Sequence, residues 1–322
     1  MEIDVLYCGV CHSDLHTARN DWGWTRYPIV PGHEIIGRVV AIGSQVSRFK
    51  VGDRVGVGCM VDACGHCEAC EEGHEQHCSE TATYTYGAPD RIDGSLTQGG
   101  YSEKVVVKEG FVVRIPDNLA LQGAAPLLCA GITTWSPLKN ADIGPGSRVA
   151  VVGLGGLGHM AIKLAKAMGA EVTLFTRSPG KEEDAHRLGA DRVVISTDAA
   201  QMAQVAGHFH LIVDTVPYVH DLNAYIPTLR FKGSLVLVGY LGPLEPALDS
   251  MPMVIGGKAV AASMIGGMAA TQEMLDFCGQ HDIVSDVEVI AIQDINDAYE
   301  RMLKSDVKYR FVIDMASLKV EV

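Results

Sequence analysis

Between residues 147 and 265 six short apolar runs rich in β-branched residues recur: "SRVAVVG", "EVTLFT", "RVVI", "HLIVDTV", "SLVLVG" and "AVAASMI". Each is short enough for a strand buried on both faces, and helix-compatible segments fill the intervals. Strands alternating with helices predict an α/β fold, a doubly wound six-stranded parallel sheet with helices on both sides. No other feature of the chain restricts the fold so tightly.

The first run leads into "VAVVGLGGLGHMAIKLAKAMGA", which places Gly153, Gly155 and Gly158 in G-x-G-x-x-G order between a strand and a helix. Leu157, Met160, Ala161, Leu164, Ala165 and Met168 form one apolar helical stripe, and Lys163 and Lys166 face away. The helix N-terminus is thereby aimed at the loop. Gly153 permits the tight turn, Gly155 lets a pyrophosphate approach the backbone, and Gly158 allows close helix–strand packing. The loop reads as a dinucleotide cradle, which Gly156 and Leu157 complete. Thr215, Val238 and Gly239, at the ends of later strands, are further candidates for cofactor contact.

The second strand ends at "LFTRSPGK". A site for NAD usually carries an Asp or Glu here, roughly 20 residues past the loop, to accept from the ribose 2′-hydroxyl. This chain offers Thr176, Arg177, Ser178 and Lys181 instead. Hydroxyls and cations suit a 2′-phosphate, so NADP(H) is expected over NAD(H).

At 322 residues the chain has room for two domains, and the composition changes near residue 125. Ahead of it, β-rich pieces such as "EIIGRVVAIG" and "YSEKVVVKEGFVVRI" sit between loops of Gly, Pro and Cys, which predicts an antiparallel β domain. Past Gly267, "TQEMLDFCGQHD", "DVEVIAI", "INDAYERMLKSD" and "YRFVIDM" read as helix, strand, helix, strand and are assigned back to that first domain. A net charge of −13 without a Lys/Arg cluster excludes nucleic acid and anionic membranes as partners. The N-terminus lacks the basic head and apolar core of a signal peptide, and no long apolar span occurs, so a cytoplasmic protein is expected.

In a reducing compartment nine cysteines point to metal ligands or inert core thiols rather than disulfides. "CGVCH" has the spacing of a haem attachment site, but that chemistry implies export and is set aside. Cys64, Cys67, Cys70 and Cys78 follow C-x2-C-x2-C-x7-C, and four thiolates from one loop close a tetrahedral zinc shell with no open position. That site is read as structural; an iron–sulfur cluster is the alternative. His66, His74 and His77 are read as surface histidines. A second set is dispersed: Cys11, the "PGHE" of Pro31–Glu34, and Cys129 supply two thiolates, an imidazole and a carboxylate.

These stretches, together with "QGGYSEKVVV", "PLLCAGITTWSPL" and "DVKYRFVID", resemble the zinc-dependent medium-chain alcohol dehydrogenases, and most closely their cinnamyl-alcohol-dehydrogenase-like branch of NADP-dependent aldehyde reductases. The resemblance runs from about residue 6 to residue 314. It implies a GroES-like catalytic domain over 1–128 and 268–322 and a Rossmann domain over 129–267. It also implies that Cys11, His33 and Cys129 hold a catalytic zinc, with Glu34 as an alternate ligand and Asp14 orienting His33. Ser13 and His16 correspond to the family's proton relay. Thr133 would lie against the nicotinamide, Ser263, Met264 and Ile265 would border the cofactor, and His12 would stand near the cofactor without bonding metal. Trp22 would stand at the pocket mouth. Cys8, Cys59 and Cys278 are left as small buried thiols. Relatives usually begin with a further β-rich segment ahead of "MEIDVLYCG".

The expected activity is reversible hydride transfer between NADP(H) and primary alcohols or aldehydes, with two zinc ions per chain and a homodimer as the family's usual assembly. Two other readings remain open, an NAD-linked polyol dehydrogenase and a non-catalytic zinc-stabilised nucleotide-binding protein.

Overall fold

The chain leaves its first structural unit at residue 132 and returns to it at residue 266. The computed structural model describes residues 1–239 and 242–319, so the last three residues of the tail lie outside the described residues. One unit is Met1–Ile132 with the segment from Gly266 onward; the other is Thr133–Ile265. Cys129 therefore belongs to the first unit, whereas the boundary read from the sequence, 128/129, put it on the other side.

The first unit begins with strands β1 (Glu2–Val10), β2 (Ile35–Ala41), β3 (Arg54–Val57), β4 (Met60–Asp62), β5 (Thr83–Tyr84), β6 (Lys104–Val106) and β7 (Val113–Arg114). The second unit contributes β8 (Arg148–Val152), β9 (Glu171–Thr176), β10 (Arg192–Ile195), β11 (Phe209–Asp214), β12 (Leu229–Leu237) and β13 (Ala259–Ala262). After the chain returns come β14 (Val287–Ala291) and β15 (Arg310–Asp314).

Among the described residues the first unit holds a seven-stranded sheet in which β14, β15, β1, β2, β3 and β7 follow one another and β6 also pairs with β1. Its pairs are antiparallel except β14 with β15, which run parallel on either side of the helix Ile295–Leu303. The tail is integral to this unit. β15 pairs with β1 so that Val10 faces Phe311, and Phe311, Ile313, Tyr299 and Met302 share one core with Ile3, Val5, Val39 and Val55. In β2 Ile35, Ile36 and Val39 are buried and Arg38 is left in water, so the face that Ile36 and Arg38 share is covered only at its start.

In the second unit the parallel sheet runs β10, β9, β8, β11, β12, β13, six strands among the described residues. The order reverses between β8 and β11, so the loops after these two strands flank the crevice where such sheets take ligands. The helix Gly158–Ala167 buries Met160, Ala161, Leu164 and Ala165 of the expected stripe together with His159 and Ile162, while Leu157 and Met168, at its two caps, are half-buried. The buried face is thus wider than the stripe read from the sequence.

Candidate active site

Three turns of the first unit converge. Cys11 caps helix α1 (His12–Arg19) directly after β1, His33 and Glu34 lead into β2, and Cys129 follows the short turn Ala125–Leu128. Antiparallel pairing of β1 with β2 brings the first two together, and the Gly9 amide donates to the Glu34 carbonyl at 3.0 Å. Gly32 precedes His33 at φ +104°, and an added Cβ would lie 2.7 Å from the Tyr101 ring and 2.8 Å from the Cys8 sulfur. Only glycine turns the chain there. As a result Cys11, His33, Glu34 and Cys129 each offer a ligand atom within 4.8 Å of the others.

Asp14, fully buried, fixes this geometry. One carboxylate oxygen accepts from the Cys11 amide at 2.8 Å, and the other accepts from the Gly32 amide and meets His33 Nδ1, each at 3.0 Å. With Nδ1 committed to the carboxylate, His33 has Nε2 left for a ligand. The ring of Tyr86 stands 5.6 Å from that of His33.

The sulfurs of Cys11 and Cys129 lie within 4.8 Å of each other, and their interaction pulls the Cys11 thiol down and pushes the Cys129 thiol up. Burial opposes a charge on His33, but the Asp14 carboxylate outweighs it and raises the imidazole. Burial also raises Glu34, against the pull of Arg310. Arg310, on β15, pairs with Glu34 Oε1, while Glu34 Oε2 is buried with no hydrogen-bond partner. Two sulfurs, an oriented imidazole and an unpartnered carboxylate oxygen form a donor set that fits zinc.

Ser13 and His16 are three residues apart on α1. Ser13 Oγ lies 3.8 Å from Cys11 Sγ, and His16 Nδ1 meets Asp21 at 2.7 Å with its ring partly in water. Rings continue outward from there. His12 to His16 is 6.2 Å, His16 to Trp22 5.4 Å and Trp22 to Trp24 5.3 Å.

The four-cysteine loop closes on itself. Cys64, Cys67, Cys70 and Cys78 bring their sulfurs within 4.8 Å of one another. Backbone amides of Cys67 and His66 donate to Cys64 Sγ, that of Cys64 to Cys78 Sγ and that of Ser79 to Cys67 Sγ, at 3.4–3.5 Å. The Ser79 and Cys70 amides hold the Cys67 thiol down at about 5. Arg91 reaches Cys78 Sγ at 3.8 Å and the carbonyls of Glu80 and Thr81. A cage of tetrahedrally disposable sulfurs with N–H donors aimed at them fits a structural metal. His66 is exposed as expected, yet it bonds to Glu80 at 2.9 Å beside Cys64, so it borders the cage; His74 and His77 lie outside it.

In the second unit Gly153 adopts φ +89°, and a Cβ on Gly158 would stand 2.1 Å from the Gly153 carbonyl. A Cβ on Gly155 would meet nothing within 4 Å. One glycine thus turns, one packs and one keeps open space, which fits a pyrophosphate. Gly156 and Leu157 lie between the second and third of these, with Leu157 capping the helix. Thr215 ties the loop down by donating to the Val152 carbonyl at 2.8 Å. At the end of β9, Thr176 is buried and accepts from the Ser178 amide at 3.1 Å, and Arg177 and Ser178 are exposed. Lys181 Nζ donates to the Leu154 carbonyl at 2.8 Å, within the glycine loop itself. Val238 and Gly239 follow β12, the Ser263 amide bonds to Leu237 at 2.9 Å, Met264 is 39% exposed, and Ile265 closes the unit at φ +37°. Thr133 opens the unit and is buried.

Residues 1–117 match the alcohol dehydrogenase GroES-like domain and residues 156–280 the zinc-binding dehydrogenase domain. An NADP-dependent alcohol dehydrogenase C 1 of Mycolicibacterium smegmatis is 52% identical over 98% of this chain and 90% of its own length. A mannitol dehydrogenase of Petroselinum crispum is 52% identical over 97% of this chain and 93% of its own. The solved structure of a cinnamyl alcohol dehydrogenase from Sorghum bicolor superposes with a TM-score of 0.95 at 48% identity, covering 100% of this chain and 91% of that one. The chain belongs to the zinc-dependent medium-chain alcohol dehydrogenases.

In this alcohol dehydrogenase the sequence reading missed Arg310, since nothing in "KYRFVID" marks its arginine until β15 is paired with β1. It missed Arg91 for a similar reason. Cys8 and Cys278 are buried as expected, but Cys59 is only partly so, and its sulfur reaches the Leu128 carbonyl, next to Cys129, at 3.8 Å.

Proposed function

We propose that the first unit is the catalytic zinc domain, that the second binds NADP(H), and that the enzyme transfers hydride reversibly between NADP(H) and primary alcohols or aldehydes. The observation that carries this reading is the buried set Cys11, His33 and Cys129 with Asp14 on His33 Nδ1. When bound, zinc supplies Lewis acidity toward an oxygen and the nicotinamide gives or takes the hydride. The chain's own residues do the rest. Asp14 holds Cys11 and His33 in register, and Arg310 keeps Glu34 in place beside them. Ser13 receives the proton of an alcohol substrate, and His16, partly in water, releases it to solvent. Cys64, Cys67, Cys70 and Cys78 hold a second zinc that stiffens the loop. Arg177, Ser178 and Lys181 take the 2′-phosphate, and His12, Thr133 and Ser263–Ile265 complete the cofactor contacts.

A small-molecule substrate and a homodimer are part of this proposal, as is the cytoplasm, where a reducing medium suits nine unpaired thiols. The description of three relatives as mannitol dehydrogenases or probable mannitol dehydrogenases favours a polyol as a second reading. Against the NAD-linked form of that reading stand Arg177 and Lys181 where a carboxylate would be needed. Steady-state reduction of a panel of aldehydes should give a higher kcat/KM with NADPH than with NADH, and oxidation of the corresponding primary alcohols with NADP+ a higher kcat/KM than oxidation of mannitol. Equal or NADH-favoured values would remove the cofactor assignment.

A further inference from the structure

Cys59 has no part in the mechanism above, yet it lies against one of its ligands. It sits between β3 and β4, and its backbone is fixed by the Thr85 amide on the Cys59 carbonyl at 3.0 Å and the Thr85 hydroxyl on the Gly58 carbonyl at 2.5 Å. This stretch runs along the chain that carries Cys129. A Cβ added to Gly58 would stand 3.0 Å from the Leu128 carbonyl, and Cys59 Sγ reaches that same carbonyl at 3.8 Å. Cys59 Sγ thus stands beside the peptide that joins Leu128 to Cys129, and the two thiols shift each other's ionisation. It is not among the four residues whose ligand atoms all lie within 4.8 Å of one another, so it adjoins the donor set through Cys129 without joining it.

A sulfur beside a metal-ligating thiolate that itself carries no metal remains open to oxidation, and its neighbour can then resolve the product. We propose that Cys59 and Cys129 form an oxidisable pair through which peroxide disarms the catalytic site, an inference that rests on the zinc assignment above. Hydrogen peroxide takes the Cys59 thiol to the sulfenic acid and leaves as one water. The Cys129 thiolate then attacks that sulfur, the S–O bond breaks, hydroxide departs and takes a proton from solvent to become a second water, and a Cys59–Cys129 disulfide forms. Two thiols lose two electrons and one peroxide gains them. Cys129 leaves the donor set, which holds its metal less tightly with two protein ligands than with three.

The test treats the zinc-loaded enzyme with hydrogen peroxide, follows freed zinc with a chromogenic chelator, and maps disulfides by mass spectrometry of unreduced peptides. The expected result is a Cys59–Cys129 linkage and release of zinc from one site, reversed by dithiothreitol and added zinc, with release slowed about tenfold or more in Cys59→Ser. Equal release from Cys59→Ser, or a Cys11–Cys129 linkage in its place, would overturn the proposal. If Cys59→Ser fails to fold, the wild-type peptide map still decides. A starting preparation that holds only one zinc when fully loaded would count against the zinc assignment instead, and the peptide map would judge the pair independently.

Discussion

Asp14 is surrounded by donors. Its two carboxylate oxygens accept from the Cys11 amide, the Gly32 amide and His33 Nδ1, all within a fully buried site. Asparagine at this position would present one acceptor oxygen and an amide N–H₂ that must face a donor, leaving a buried clash of hydrogens. Asp14→Asn should therefore weaken zinc retention in the catalytic site by about 10- to 100-fold, with the overall fold kept, as removal of a carboxylate behind a metal-bound histidine does. Competition against a chelator measures it, and unchanged retention would mean that Asp14 only caps α1. Arg310 and Glu34 show where sequence reading stops. Each is a common surface residue type, they are 276 positions apart, and only strand pairing makes them a buried ion pair whose one-sided removal costs about 3–5 kcal/mol.

At the scale of elements, the parallel sheet was legible because its central strands β8, β9 and β11 carry their burial in nearly continuous apolar runs and each interval is long enough for a crossover, although the outer strand β13 is largely exposed where a buried strand was expected. The glycine loop was legible because each of its three glycines answers a separate steric demand, as the 2.1 Å approach at Gly158 and the open space at Gly155 make plain. Elements of the first unit were harder to read. β4, β5 and β7 are two or three residues long, too short for any periodicity to register, and their positions follow from the loops they brace. The outer strand β13 and the nearby helix Met251–Gly256 leave apolar groups in water, with Val254 77% and Ile255 78% exposed. A patch of this kind at a sheet edge supports the proposed homodimer. Val254→Asp with Ile255→Asp should convert a dimer to a monomer in light scattering; a wild type that already runs as a monomer would remove the assembly.

Across the whole molecule, the donor set draws on residues 11, 33, 34 and 129, and its guanidinium partner on residue 310. No local motif spans such intervals, so the resemblance to a family, rather than spacing, grouped the ligands in the sequence reading. The four-cysteine loop is the opposite case, since all its ligands lie within one excursion and their spacing alone announced it. The two sites should answer differently to loss of a ligand. Cys70→Ala removes a cross-link that stiffens a long loop and should lower thermal stability, whereas Cys129→Ala empties a site on a scaffold that is otherwise packed. Metal content of the fully loaded protein, read by atomic emission alongside turnover and circular dichroism, tests the account most directly. It predicts two zinc ions per wild-type chain, and for Cys129→Ala one zinc, a native spectrum and no turnover. One zinc in the wild type, or near-native turnover in Cys129→Ala, would contradict it.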